Sequence, residues 1–256
     1  MKNKYIFIAS IFSAALLSFS PVYSYQAEDV GQTAGHTQDV DDPFEDVNRV
    51  IYEINDGVDT ILFRPVAELY GVVPEIFRDR VHSAVLNLGT PLTFVNDILQ
   101  LNIERAAESL GRFIINSTLG IGGLFDVATE VGIPYHSEDF GQTLAAWGFS
   151  GGPYIMLPLL GPSNPRDIFG MVGDSFIDPV NIALYTTDNE DWIWYRTGVE
   201  LLDRRTNARE FTDQLKESLD PYARLRSLYT QSRNFHIRNE RNISSGELDS
   251  PRPIQE

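Results

Sequence analysis

The sequence predicts an all-α protein built as a single multi-helix domain. Three observations carry that reading. Apolar residues recur at helical spacing in segment after segment, and a capping residue or a proline opens most of them. Runs that alternate with strand period are scarce. No linker-like stretch interrupts residues 42–235, and no fixed-period repeat is evident.

Residues 1–24 read as a signal peptide. Lys2 and Lys4 precede an apolar run from Tyr5 to Phe19, Pro21 ends it, and Val22-Tyr23-Ser24 supplies the cleavage positions. Pro21 and the Val-x-Ser site disfavour an uncleaved anchor helix. Residues 25–41 have almost no aliphatic pattern and are expected to be a disordered lead-in. Structure then starts at Asp42-Pro43-Phe44-Glu45, with Asp42 as cap, Pro43 at the first helical position and Glu45 completing a capping box. Phe44, Val47, Val50, Ile51, Ile54, Val58, Ile61 and Leu62 share one face of this helix, which is expected to end near Arg64-Pro65. Pro74 opens a second helix with Ile76, Phe77, Val81, Ala84, Val85 and Leu88 inward, closed by Gly89. Thr90-Pro91 opens a short one through Leu99, and Asn102 caps another to about Asn116. Further starts fall at Ser137-Glu138-Asp139, at Ser163-Asn164-Pro165 and at Asn189-Glu190-Asp191, the last leading a long helix through Leu215. Asp220-Pro221 begins the final helix, to about Phe235. The domain is thus expected over 42–237, and residues 238–256 form a polar, disordered tail.

Composition narrows the function. The 256 residues are 43% hydrophobic, enough for a real core. The formal charge is −16, and without Lys2 and Lys4 18 basic residues face 36 acidic ones, a net charge of −18. Nucleic acid is thereby excluded, because phosphate contacts require a basic surface. Polybasic attraction to anionic lipid is excluded on the same grounds. The sequence contains no cysteine, so it has neither disulfides nor a thiol for a thioether-linked lipid.

Catalytic chemistry finds little support. Gly148-Phe149-Ser150-Gly151-Gly152 matches the nucleophile elbow of hydrolases, which needs a strand before it and a helix after it. Here a helical pattern precedes it, and Pro153 and Pro158 prevent a regular helix behind it. A lipid-active hydrolase using Ser150 remains the enzymatic alternative, and a non-transporting periplasmic scaffold is the other. The histidines stand at 36, 82, 136 and 236 without metal spacing. Asp41, Asp42, Glu45 and Asp46 lack the glycine and spacing of a calcium loop. No enzyme, cofactor or metal site emerges.

Two Gly/Pro-rich apolar loops depart from the helical pattern: LGIGGLFDVATEVG (119–132) and GGPYIMLPLLGPSNPRD (151–167). Connections are ordinarily polar, because buried irregular backbone must find partners for its hydrogen bonds. Non-helical backbone reaches membrane depth only where protein buries it or where it lines a cavity. Trp192, Trp194 and Tyr195 suit a membrane interface, though aromatic core packing is the commoner reason for such residues.

Together these motifs resemble the VacJ/MlaA family of outer-membrane phospholipid-transport proteins. The resemblance rests on Asp42-Pro43-Phe44-Glu45 with Asn48-Arg49, Arg64-Pro65-Val66-Ala67, Asn96 with Leu99-Gln100, and Arg112-Phe113. It continues through Asn116 to Gly123, Asp126-Val127-Ala128, Phe140 to Leu144 with Trp147-Gly148, Gly152-Pro153-Tyr154 with Leu157-Pro158, Arg166-Asp167 and Asp220-Pro221-Tyr222. What it implies is a ring-like helical protein in the inner leaflet of the outer membrane, held by trimeric porins. A central amphipathic channel would take mislocalised phospholipid from the outer leaflet and pass it to a periplasmic lipid carrier protein, without cofactor. Phe44, Phe113, Asn116, Leu119, Gly120, Gly122, Gly123, Leu124, Phe125, Tyr154, Leu157 and Pro158 become the candidates for lining or gating that channel. The family's lipoproteins are anchored through a cysteine that this sequence lacks, so anchoring is expected from the apolar surface, a porin, or both.

Overall fold

The computed structural model describes residues 41–238. The expected signal peptide, the lead-in up to residue 40 and the tail from 239 lie outside them. Helix α1 spans Glu45–Val58 and continues through a π-helical turn, Asp59–Phe63, into α2, Arg64–Tyr70. Then come α3 (Glu75–Leu99), α4 (Ile103–Thr118) and the single turn α5 (Val127–Glu130). Helix α6 (Phe140–Ala146) precedes an antiparallel hairpin, β1 (Ile155–Leu157) with β2 (Gly161–Ser163), in which Met156 faces Pro162. The chain closes with α7 (Pro165–Ile177), α8 (Pro179–Thr186), α9 (Asp191–Asn207), α10 (Arg209–Lys216) and α11 (Pro221–Ile237).

Several helix starts follow the capping signals. Asn102, Asp139, Asn164 and Asp220 each accept a hydrogen bond from the backbone N–H three residues on. Other boundaries need correction. Asp42 does not cap α1: Phe44 holds that position without a side-chain bond, and Asp42 instead accepts from Asn48, Tyr222 and Arg226. Pro65 does not end the first helix. Pro65 has no N–H for the Ile61 carbonyl, and the ladder widens just ahead of it, with Arg64 N–H donating to Asp59 O. Gly89 and Thr90-Pro91 do not divide α3 either, which runs through all three. One backbone bond is lost at Pro91, and packing of α3 along α4, α8 and α9 outweighs it. The long helix expected through Leu215 breaks at Ala208 into α9 and α10.

The larger correction concerns which side faces in. Ile76, Phe77 and Leu88, expected inward, are exposed, as are Val47, Val50 and Ile54 of α1 and Phe169 and Phe176 of α7. Ile61, Leu69 and Val72 are 81%, 73% and 78% exposed. What is buried on the same helices is polar: Asn48 on α1, Asn87, Asn96 and Asp97 on α3, Ser109, Arg112 and Asn116 on α4, Asp167 and Asp174 on α7. The apolar core is small, formed by Tyr154, Met156, Tyr222 and Tyr229, with Ile51, Tyr52, Phe211 and Leu225 packed against it. Several buried charges come in pairs, which offsets the cost of removing them from water. Arg233 holds both Asp139 and Asp167, and Arg196 holds Asp178 and Glu200.

Candidate functional site

The proline-rich stretch after residue 151 finds its backbone partners on α1. Asn48 and Asn55 lie about two turns apart, so both amides face the same way. Asn48 donates to Tyr154 O at 3.2 Å and accepts from Met156 N–H at 2.8 Å. Asn55 donates to Leu157 O at 2.9 Å and accepts from Leu159 N–H at 2.7 Å. Two asparagines thus act as a strand edge for β1, which is why an apolar, non-helical segment can be buried there.

Beside this seam opens a cleft of about 1040 Å³, its mouth included. Met156, Leu159 and Pro162 of the hairpin segment, Phe63 of the π turn, Leu201 of α9, Phe211 and Leu215 of α10 and Leu225 of α11 give it apolar walls. The polar lining includes two ion pairs. Arg205 binds Asp59 through two bonds of 2.5 and 2.9 Å, and Lys216 reaches Asp56 at 2.5 Å. The π turn matters locally, because both Asp59 and Phe63 belong to it and line the cleft. Apolar walls with a few fixed polar groups are the usual composition of a small-molecule site.

A second cavity, about 550 Å³ with its opening, lies between α3, the segment 135–139, α7 and α9. It is lined by Glu138, Asp139, Asp174, Glu200, Arg196 and Arg204 against Val85 and Leu92. Burial pushes Glu138 up to about 7 despite hydrogen bonds from Gln100 and Arg105. Burial would raise Asp139 too, but the charge and hydrogen bonds of Arg233 overcome it and bring it to about 2. Arg204 lines both cavities.

The glycine-rich loop 119–126 is a tight frame with an apolar tip. Asn116 donates to Asp126 at 2.9 Å and accepts from Ala128 N–H at 2.8 Å, while Arg112 grips both Asp126 oxygens at 2.8 Å. Burial acts to raise the Asp126 pKa, but hydrogen bonds from Thr129, Asn116 and Arg112 hold it lowered. At Gly120 a Cβ would collide with the carbonyls of Phe125 and Asn116, so no other residue fits. Leu119 is 70% exposed, and Ile121, Leu124 and Phe125 are exposed beside it.

The model of the MlaA lipoprotein family matches residues 40–236. The chain belongs to the MlaA family. It is 36% identical to an uncharacterized protein of Rickettsia prowazekii over 93% of this chain and 94% of that one. It is 30% identical to the intermembrane phospholipid transport system lipoprotein MlaA of Escherichia coli K12, over 84% of this chain and 85% of that one. A solved structure described as "Structural basis for maintenance of bacterial outer membrane lipid asymmetry" superposes with a TM-score of 0.66 at 31% identity. It covers 77% of this chain and 98% of that one.

In this MlaA-family chain the twelve residues singled out from sequence fall into separate groups. Asn116, Leu119, Gly120, Gly122, Gly123, Leu124 and Phe125 build the glycine frame and its tip. Phe113 is half-buried on α4. Tyr154 is in the apolar core, Leu157 is half-buried and Pro158 exposed at the hairpin turn, and Phe44 stands half-exposed before α1. The walls of the two cavities include none of the twelve. Sequence reasoning missed Phe63, Leu201, Arg205, Phe211 and Leu225, although Phe211 and Leu215 at i, i+4 marked an apolar face on α10. Ser150 lies between helix α6 and strand β1, the reverse of the strand-to-helix order of a nucleophile elbow. Ser109, His136 and Asp97 do cluster, but Ser109 Oγ and Asp97 Oδ2 meet the same His136 nitrogen, at 3.1 and 3.0 Å. A triad needs them on opposite nitrogens.

Proposed function

We propose that this chain moves phospholipid between membranes as part of the maintenance of outer-membrane lipid asymmetry. Phospholipid misplaced in the outer leaflet enters from the membrane side, passes through the protein's amphipathic interior and leaves to a periplasmic carrier. A helical ring seated in the inner leaflet, steadied by a trimeric porin, suits that task. One observation carries the reading: the polarity of the helices is reversed, with large aliphatic and aromatic side chains outside and paired polar groups inside. Water disfavours such an exterior, whereas hydrocarbon accommodates it. The cleft at Met156, Phe211 and Leu225 adds an apolar bed for acyl chains, with Arg205 and Lys216 among its polar residues. The test is the amount of phospholipid exposed on the surface of cells lacking this chain, with and without its restoration. Restoration is expected to return the outer leaflet to its normal composition; no difference between the strains overturns the proposal.

A further inference from the structure

Asp174 is the acid in the second cavity for which no ion pair is found among the described residues. Its neighbours are matched: Asp139 pairs with Arg233, Glu138 with Arg105 and Glu200 with Arg196. Asp174 is 3% exposed, and only its Oδ1 is engaged, accepting from Phe140 N–H at 2.9 Å and from Asn96 Nδ2 at 3.3 Å. No hydrogen bond to Oδ2 is found among the described residues, and the side chain lines the cavity. Burial, reinforced by the charge of Asp139, holds the Asp174 carboxyl well above the usual range. A buried carboxylate without a partner must take either a proton or a cation. Among the described residues no group of three acids, thiols or imidazoles is placed to hold a metal ion.

The neighbouring cleft says what kind of cation. Arg204 lines both spaces, joining the apolar bed on one side to Asp174 and Glu138 on the other. The two linings together supply aliphatic and aromatic walls, a guanidinium common to both and a carboxylate without an ion-pair partner among the described residues. An amino-phospholipid carries the complement of each: acyl chains, phosphate and ammonium. We propose that the cavity at Asp174 and Glu138 is an ammonium-selective head-group site, so that the protein prefers phosphodiester amphiphiles carrying a primary amine. This rests on the phospholipid reading above and adds the head-group preference to it. A primary ammonium has three donors, enough for Asp174 Oδ2 and Glu138 together.

The experiment has two arms on the full chain. In the first, O-phosphoethanolamine and glycerol 1-phosphate are titrated into the purified protein by calorimetry; the probes share the phosphate and differ in the amine. Wild type is expected to bind the amine probe roughly tenfold tighter, as one charge-assisted bond allows. Asp174→Asn, which keeps the acceptor for Phe140 N–H, is expected to bring the two affinities together. In the second arm, co-purified phospholipid is compared with the composition of the source membrane. Enrichment of amine-bearing lipid that disappears in Asp174→Asn identifies the lipid as the source of the ammonium. An amine preference in the first arm without enrichment keeps the site and assigns it to a free amine. Equal affinities of wild type for the two probes overturn the site and mean that Asp174 merely carries a proton; co-purified lipid without head-group bias then leaves the transport reading standing. A preference for the amine probe with no phospholipid bound sinks the transport reading and spares the site.

Discussion

Asn48 is 1% exposed and makes three hydrogen bonds, to Asp42, Tyr154 and Met156, that join α1 to the start of β1. Replacing it by Ala leaves a buried carbonyl and a buried N–H without partners, at about 1–3 kcal/mol for each such group. Asn48→Ala is therefore expected to lower the unfolding free energy by about 2–4 kcal/mol in denaturant titration, far more than an exposed Asn→Ala change. Glu138 gives a second test at this scale. Its folded pKa, about 7, is raised above the ordinary 4.5, so its contribution to stability is fully present below about 4.5 and lost as pH rises through about 7. Glu138→Gln removes that loss and keeps an acceptor for Arg105. Between pH 5 and 8 the wild type is expected to lose up to about 3 kcal/mol more than the variant. His236, lowered by burial to about 4, affects both proteins alike and drops out of the difference. Parallel stability profiles of the two proteins would show that Glu138 stays charged throughout.

At the scale of elements, the starts were largely legible in the sequence. Asn102, Asn164 and Asp220 are local signals, since a cap depends on a side chain and a backbone donor three residues away. The stops expected at Pro65 and Gly89 and the start expected at Thr90-Pro91 do not occur, because packing overrides the loss of one backbone bond and a π turn absorbs a proline. The facing of the helices was legible only as a stripe. The period of α1 locates its apolar stripe on Val47, Val50 and Ile54 but does not say which solvent the stripe meets. Asn48 and Asn55 on the other face carried the missing information, as polar residues aligned with a neighbour's backbone. The cleft draws on α1 and its π turn, the hairpin and the helices α9 to α11, segments about a hundred and more residues from α1 in sequence, so no local pattern announced it. The absence of cysteine makes the outward facing directly measurable. Single cysteines at Ile61, Val72 and Phe77, spin-labelled in protein reconstituted into bilayers, are expected to collide with dissolved oxygen more than with a water-soluble relaxer. The reverse preference at all three positions would place that surface in water.

At the scale of the molecule, α11 fastens the fold across its whole length. Asp220 binds Arg49 at 2.7 Å, Arg226 meets Asp42 at 2.7 Å and Glu45 at 3.0 Å, and Arg233 reaches Asp139 and Asp167. Paired charges lie inside and large apolar side chains outside, and the cleft is the place where an apolar surface turns inward. Leu225 stands in its wall, half-buried, at the junction of α11 with α10 and the hairpin. The decisive measurement is the amount of phospholipid carried per chain by purified wild type and by Leu225→Trp, with helix content followed by circular dichroism. If phospholipid occupies the cleft, the wild type carries it and the indole displaces most of it while the helices persist. Equal lipid loads on two equally folded proteins would contradict the assignment of the cleft as the lipid site.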